Sequence, residues 1–296
     1  NSNVVAADIS AEKCKALAEA GPFEELNALD GEGFSAIVKK YNIDTIFNLV
    51  ALLSATGEKN PKLAWDINIG ALTNSLYIAK DNNCAVFTPS SIGAFGNDTP
   101  KDKTPQDTLQ RSNTTIYGVC KVTGELLSDY YFNRFGVDTR SVRFPGLISY
   151  VTLPGGGTTD YAVEIYYDAI RRGAFTCNVK AGTYMDMMYM PDALNAVVQL
   201  MEADPSRLKH RNSFNIAAMS FEPGQIAAEI RKHLPDFKMD YQIDPVKQAI
   251  ADSWPNSMDD SCAREEWGWK PEYNLQNMTV DMLVKVKEKF DKGLIK

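Results

Sequence analysis

The chain has 296 residues, 44% of them hydrophobic and 23% charged, and 31 basic against 38 acidic side chains leave a formal charge of −7. That length allows one large domain or two coupled ones with a substantial core, while the acidic balance argues against a nucleic-acid-binding surface. No run of about 18 apolar residues marks a membrane span, and the opening "NSNVVAADIS" carries no cationic, apolar export leader.

In chain order, "NVVAAD" reads as a buried strand, "SAIVKKY" closes a helix, and "TIFNLVALL" is the next strand. Pro61 opens a long helix through "NPKLAWDINIGALTNSLYIAKDNN". "AVFTPSS" is a strand ending in hydroxyls, "TTIYGVCKVTGELLSDYYFNRFG" a second long helix closed by Gly136, and "TRSVRFPGLIS" a strand broken at Pro145. The alternation predicts an α/β fold with a doubly wound (Rossmann) parallel sheet and ligands at the strands' carboxyl ends. Beyond residue 150 the rhythm loosens, with helices expected at 159–172, 191–203, 223–234 and 276–290 between short strands such as "SFNIAA" and "KMDYQI". Residues 1–150 therefore read as the dinucleotide-binding part. Residues 151–296 read as a smaller, mainly substrate-binding part, with about 184–218 returning to the first.

The first strand ends in Asp8, where a carboxylate accepts hydrogen bonds from an adenosine ribose and repels a 2′-phosphate, favouring NAD over NADP. An ordinary turn aspartate is the bland alternative. The matching glycine fingerprint belongs about 20 residues upstream, whereas seven residues precede Asp8. "LPGGGTTDYA" does not substitute, because no buried strand feeds Gly155; its glycines read as an unusual turn with close backbone approach beside a ligand, or else as a flexible exposed turn. A sequence starting at the second strand lacks a central one, so poor NAD binding and marginal folding are expected of it.

"YGVCK" sets Tyr117 and Lys121 one helical turn apart, with Ser91 at the end of the preceding strand. A phenol is a poor base at neutral pH, and a neighbouring ammonium stabilises its phenolate. Tyr117 would then take a proton from a substrate hydroxyl while Ser91 orients the same oxygen. Ser90 is the alternative, since a one-residue slip exchanges the strand's faces.

"TPSSIGAFG", "YGVCK", "VRFPGLIS" and "MYMPDA" resemble landmarks of the extended short-chain dehydrogenases/reductases, the group that includes nucleotide-sugar epimerases. With "ALLSATGEKNP", "LPGGGTTDYA", "FNIAAMSF", "IADSWP" and "DDSCAREEWGW", the chain is similar over nearly its whole length to short-chain L-threonine 3-dehydrogenases. The resemblance implies NAD-dependent oxidation of L-threonine at its hydroxyl carbon to 2-amino-3-oxobutanoate, with Tyr117, Lys121 and Ser91 catalytic. It implies cofactor contacts at Asp8, Ile9, Leu29, Asp30, Ala51, Ser90, Tyr117, Lys121 and Leu147. Substrate contacts are implied at Ser54, Ser91, Tyr117, Thr158 and Thr159, with Trp254 closing the pocket. A homodimer through helices 61–81 and 115–135 is also implied, in the cytoplasm or, with a targeting segment, the mitochondrion. The alternatives are a nucleotide-sugar epimerase or reductase using the same Tyr–Lys chemistry, and a non-catalytic NAD-sensing relative.

Among the remaining candidates, Arg143 reads as an internal ion-pair partner ahead of a carboxylate clamp, and Asp192 as a first-turn helix acid. Arg264 with Asp259 and Asp260 reads as a surface network, and the "MDMMYM" methionines as core or pocket lining. Five scattered cysteines, Cys14, Cys84, Cys120, Cys177 and Cys262, show no ligand spacing, so neither a disulfide framework nor a thiolate zinc site is expected and no metal is assigned. The two histidines, His210 and His233, sit among polar residues and read as surface groups, which disfavours a His-dependent triad.

Overall fold

A computed structural model describes residues 3–108, 112 and 114–295. Strand β1 (Ala6–Asp8) pairs in parallel with β2 (Phe23–Glu25), helix α1 (Lys15–Ala20) lying between them in sequence. After α2 (Gly31–Tyr41), β3 (Thr45–Phe47) pairs in parallel with β4 (Ala85–Phe87), which pairs in parallel with β6 (Thr139–Arg140). The connections are helical: α3 (Ser54–Gly57) and α4 (Pro61–Asn82) before β4, α5 (Ile116–Phe135) before β6. β5 (Ser90–Ser91) pairs in parallel with β7 (Val142–Phe144). This is the expected α/β, Rossmann-like pattern. The long paths 85–91 and 139–148 change partners where Pro89 and Pro145 remove a backbone donor from the ladder.

The second half adds β8 (Gly146–Ile148), α6 (Tyr161–Arg172), β9 (Ala174–Cys177), β10 (Met185–Tyr189) and α7 (Met190–Glu202). It continues with β11 (Phe214–Asn215), β12 (Met219–Phe221), α8 (Pro223–Arg231) and β13 (Lys238–Tyr241), then α9 (Pro245–Ser253), α10 (Ser261–Trp267) and α11 (Leu275–Asp291). β10 lies parallel to β8 and β11 parallel to β7, so segments 185–189 and 214–215 return to strands of the first half. β12 runs antiparallel to β10, and β13 parallel to β9. Among the described residues no helix is long and apolar enough to cross a membrane.

Helix ends follow their local chemistry. Asp30, Asn60 and Thr115 cap α2, α4 and α5 by accepting backbone N–H groups with their side chains. Gly136 closes α5 in the left-handed region, at φ 72°. Two expectations fail. The first strand is short and largely exposed, with β1 paired to β2 alone among the described residues. "TIFNLVALL" is a strand only over 45–47, and Phe47 and Leu49 are exposed rather than buried.

Three apolar clusters form the core: one around α2, α4 and β4, one around β7, α7 and α10, and one around α6, β10, α8 and α11. The third reaches Ile92 and Phe95, next to Ser91, so the second half packs directly on the turn that follows β5. Burial within this core pushes the Asp186 carboxyl of β10 up to about 8.

The first turn of α5 is pressed onto the 92–94 turn. A methyl group on Gly118 would overlap Ser112 Oγ and the Gly93 carbonyl oxygen, and stand 2.9 Å from Ser112 Cβ. Gly118→Ala is expected to cost about 1–3 kcal/mol in denaturant unfolding, against a change within about 0.5 kcal/mol for Gly155→Ala, which meets no atom within 4 Å. Asp186 retains its proton when folded but ionises from its ordinary 3.8 when unfolded. The stability it confers is whole below about pH 4 and is lost as pH rises towards 8. Asp186→Asn should flatten that fall in unfolding measured across the interval.

Candidate active site

Ser91 ends β5 and caps the short turn that follows, its Oγ accepting the Gly93 N–H at 3.1 Å. Tyr117 lies in the first turn of α5. A methyl on Gly93 would stand 3.2 Å from both Cδ1 and Cε1 of Tyr117 and 3.4 Å from Ser91 Oγ. The ring and the hydroxyl therefore meet over one glycine. Lys121 Nζ sits 5.3 Å from the Tyr117 ring centroid and donates to the Pro89 carbonyl oxygen. One turn of helix thus places an ammonium and a phenol together, at the end of the strand that supplies Ser91.

Three neighbours hold this arrangement. Thr115 Oγ1 accepts the Gly118 N–H at 3.1 Å, Glu58 Oε1 accepts the Ile116 N–H at 2.7 Å, and Ser112 Oγ donates to the Gly93 carbonyl at 2.7 Å. Sequence reading missed all three. The Thr115 cap was legible in "TTIYG"; Ser112 comes from the loop just before α5 and Glu58 from a segment 58 residues from Ile116.

The face of β5 is settled by Ser90, whose hydroxyl donates to the buried Glu125 carboxylate. Glu125 in turn pairs with buried Arg143, Nη2 to Oε2 at 3.0 Å. Arg143 also donates to the Gln106 carbonyl at 2.9 Å and to Asn215 Oδ1 at 3.0 Å, and lies over the Phe95 ring. Arg143 is therefore an internal ion-pair partner and not a substrate clamp. The Ser90 hydroxyl is likewise bonded inwards, to Glu125. Ser90 still lines a small cavity with Asn48, Ala51, Lys121 and Gly124.

On the sheet's other side, Asp8 is exposed at the carboxyl end of β1, beside Ile9 at 69% exposure. Leu29 is 43% exposed and lies over Gly70. Asp30 caps α2, its Oδ1 taking the Gly33 N–H at 3.0 Å. An exposed carboxylate flanked by exposed apolar side chains suits a ribose and an adenine. These residues fit a dinucleotide's adenosine end, as Tyr117, Lys121 and Leu147 fit its reactive end.

The glycine turn follows a different logic from the one expected. The N–H groups of Gly156 and Gly157 both donate to Asp160 Oδ2, at 2.8 and 2.6 Å, and burial raises the Asp160 carboxyl despite them. Those donors are committed inside the loop, so the backbone there is not offered to a ligand. Gly156 has φ +102°, and a methyl on it would stand 3.6 Å from Thr56 Oγ1, which brings the turn to α3, the helix that starts at Ser54. Thr158 is buried, and its Oγ1 has no hydrogen-bond partner. Thr159 packs against β8, where a methyl on Gly146 would lie 2.8 Å from Thr159 Cγ2, next to half-buried Leu147. Gly57 of α3 approaches Ile116, the neighbour of Tyr117. Close approaches thus run from Gly156 to Thr56 of α3, and from Gly57 of the same helix to Ile116, the neighbour of Tyr117. Trp254, expected to close the pocket, is 6% exposed and belongs to the core cluster that includes Ile92, Phe95 and Tyr161.

A family model described as the NAD dependent epimerase/dehydratase family matches residues 2–217. The chain belongs to that family. NAD is its cofactor. A protein of Staphylococcus haemolyticus (strain JCSC1435), named an uncharacterized epimerase/dehydratase, is 57% identical over 289 residues, 98% of this chain and 91% of its own. The X-ray structure of L-threonine dehydrogenase from Clostridium difficile superposes with a TM-score of 0.95 at 56% identity, covering 97% of this chain and 90% of that one. L-threonine dehydrogenase from Phytophthora infestans gives 0.91 at 46% identity, over 96% and 90%.

Other residues of this epimerase/dehydratase-family chain take structural roles. Asp192 lies in the first turn of α7, but its carboxylate accepts the backbone N–H groups of Glu272 and Tyr273, at 2.9 and 3.0 Å. Arg264 pairs with Asp260 at 2.8 Å, while Asp259 accepts the Ser261 N–H. Met185, Met187 and Met188 are core. His233 is exposed, whereas His210 is half-buried and paired with Glu266, so the surface reading of His210 is corrected.

Arg143→Met keeps the volume and removes the charge facing Glu125. It is expected to cost about 3–5 kcal/mol in denaturant unfolding. A raised KM with unchanged stability would instead mark Arg143 as a substrate clamp.

Proposed function

We propose that this chain oxidises L-threonine at its hydroxyl carbon to 2-amino-3-oxobutanoate, with Tyr117, Lys121 and Ser91 as the catalytic residues. The observation that carries the reading is the meeting of the Tyr117 ring and Ser91 Oγ over Gly93, with Lys121 Nζ 5.3 Å from that ring. The likeness to the Clostridium difficile L-threonine dehydrogenase supports the substrate.

Bound NAD supplies the acceptor for the hydrogen that leaves the hydroxyl carbon. Ser91 Oγ donates to the substrate oxygen and fixes its direction. Tyr117 Oη takes the hydroxyl proton, and the Lys121 ammonium stabilises the phenolate that does so. Asp8, Ile9, Leu29 and Asp30 hold the adenosine end, Ala51, Ser90 and Leu147 line the reactive end, and Ser54, Thr158 and Thr159 receive the amino acid. Thr158 supports that role directly, because a buried hydroxyl without a partner is costly unless a ligand or water completes it.

Residues 1–150, with about 184–218, form the cofactor part in this reading, and the remainder of 151–296 the substrate part. A homodimer through α4 and α5 accounts for the exposed Leu63, Trp65, Tyr77, Leu126 and Tyr130 on those helices.

The direct test is NADH absorbance on mixing the protein with NAD and L-threonine, against a panel of hydroxy amino acids and sugar nucleotides. Turnover of a sugar nucleotide without threonine oxidation would favour the epimerase reading. Tyr117→Phe should lower kcat by about 10²–10⁴-fold. Thr159→Val should raise KM for threonine far more than KM for NAD; equal changes in both would count against the assignment.

A further inference from the structure

His210, Cys262 and Glu266 lie outside the residues assigned to threonine oxidation. Cys262 and Glu266 are four residues apart on α10 and share a face. His210 comes from the loop before β11, 56 residues from Glu266 in sequence. An imidazole nitrogen, the thiol sulfur and a carboxylate oxygen of these three all lie within 4.8 Å of one another. Zinc bonds of about 2.0–2.3 Å in a tetrahedral site hold such atoms roughly 3.5 Å apart, so small side-chain rotations bring the set to bonding distance.

The surroundings orient the donors. Glu266 Oε2 accepts the N–H groups of Lys209 and His210, which leaves Oε1 facing His210 Nδ1. Behind the ring, Asp107 Oδ2 stands 3.5 Å from Nε2. A carboxylate near the second ring nitrogen is the usual support of a metal-bound imidazole. A proton alone would satisfy the imidazole and the carboxylate. The sulfur beside them is the feature a proton leaves unused. Asp259 and Glu265 add negative charge around that sulfur.

We propose that His210 Nδ1, Cys262 Sγ and Glu266 Oε1 form a site for a borderline-soft divalent cation of the zinc class, with Asp107 as its positioning residue. A nitrogen, sulfur and oxygen set suits Zn²⁺ and excludes the all-oxygen preference of Mg²⁺ and Ca²⁺. The half-buried His210 side chain leaves an approach from solvent, where water completes the fourth position. Such an ion ties the loop before β11 to α10, so its effect falls on stability and is independent of threonine oxidation.

The test uses the whole chain after chelator treatment, titrated with Co²⁺ and then Zn²⁺. One equivalent of Co²⁺ should give a thiolate-to-cobalt absorption in the near ultraviolet with intense four-coordinate visible bands, both lost on adding Zn²⁺. Cys262→Ser should abolish the near-ultraviolet band. Asp107→Asn should keep the band and weaken binding about 10–100-fold, with threonine oxidation unchanged. In the unaltered protein, Zn²⁺ should protect Cys262 from alkylation mapped by mass spectrometry, a readout that needs no variant. Absence of the thiolate band in the unaltered protein, its survival in Cys262→Ser, or Cys262 alkylation unaffected by Zn²⁺ overturns the site and leaves His210 and Glu266 as a proton-sharing pair.

Discussion

The contact between the first turn of α5 and the turn at 92–94 is the constraint on which the candidate active site depends. Backbone meets backbone there because residues 93 and 118 have no side chain: Ser112 and the Gly93 carbonyl occupy the space a Gly118 methyl would need. The same approach lays the Tyr117 ring across Gly93, where Ser91 Oγ also points. A larger residue at either glycine would part the phenol from the hydroxyl by about the width of a methyl group, more than an oriented reaction tolerates. Helix propensity at position 118 is given up for that proximity.

Behind this contact stands a buried polar network. Ser90, Glu125, Arg143, Gln106 and Asn215 join β5, α5, β7, β11 and the loop before α5. A buried ion pair of this kind adds little net stability compared with apolar packing, but it permits few alternative registers. It turns Ser90 inwards, and the alternation of a strand then leaves Ser91 on the opposite face. On the substrate side, the glycine turn is held by its own Asp160, whose carboxylate gathers the Gly156 and Gly157 N–H groups. The loop is thus held by its own hydrogen bonds, with Thr158 buried behind it.

Family membership and the local geometry bear on different questions. The family brings NAD as cofactor; the meeting of Ser91 and Tyr117 over Gly93, with Lys121 one turn along, bears on the chemistry. The His210, Cys262 and Glu266 group belongs to neither, being built where the second half folds back onto the strands of the first.

Periodicity and capping by themselves determined much of the architecture. The alternation of elements, the Pro61 start and Gly136 stop of the two long helices, and the break at Pro145 are local effects, readable because they act within one turn or one strand. Tyr117 and Lys121 share a helix face for the same reason. Only the tertiary structure decided between Ser90 and Ser91, buried Trp254 in the core, paired Arg143 with Glu125, shortened "TIFNLVALL" to three strand residues, and brought His210 to Glu266. Each of those outcomes turns on which distant surface lies opposite a side chain. Sequence spacing carries little record of that, because the entropy of closing a loop rises only slowly with its length and many distant partners are therefore almost equally accessible.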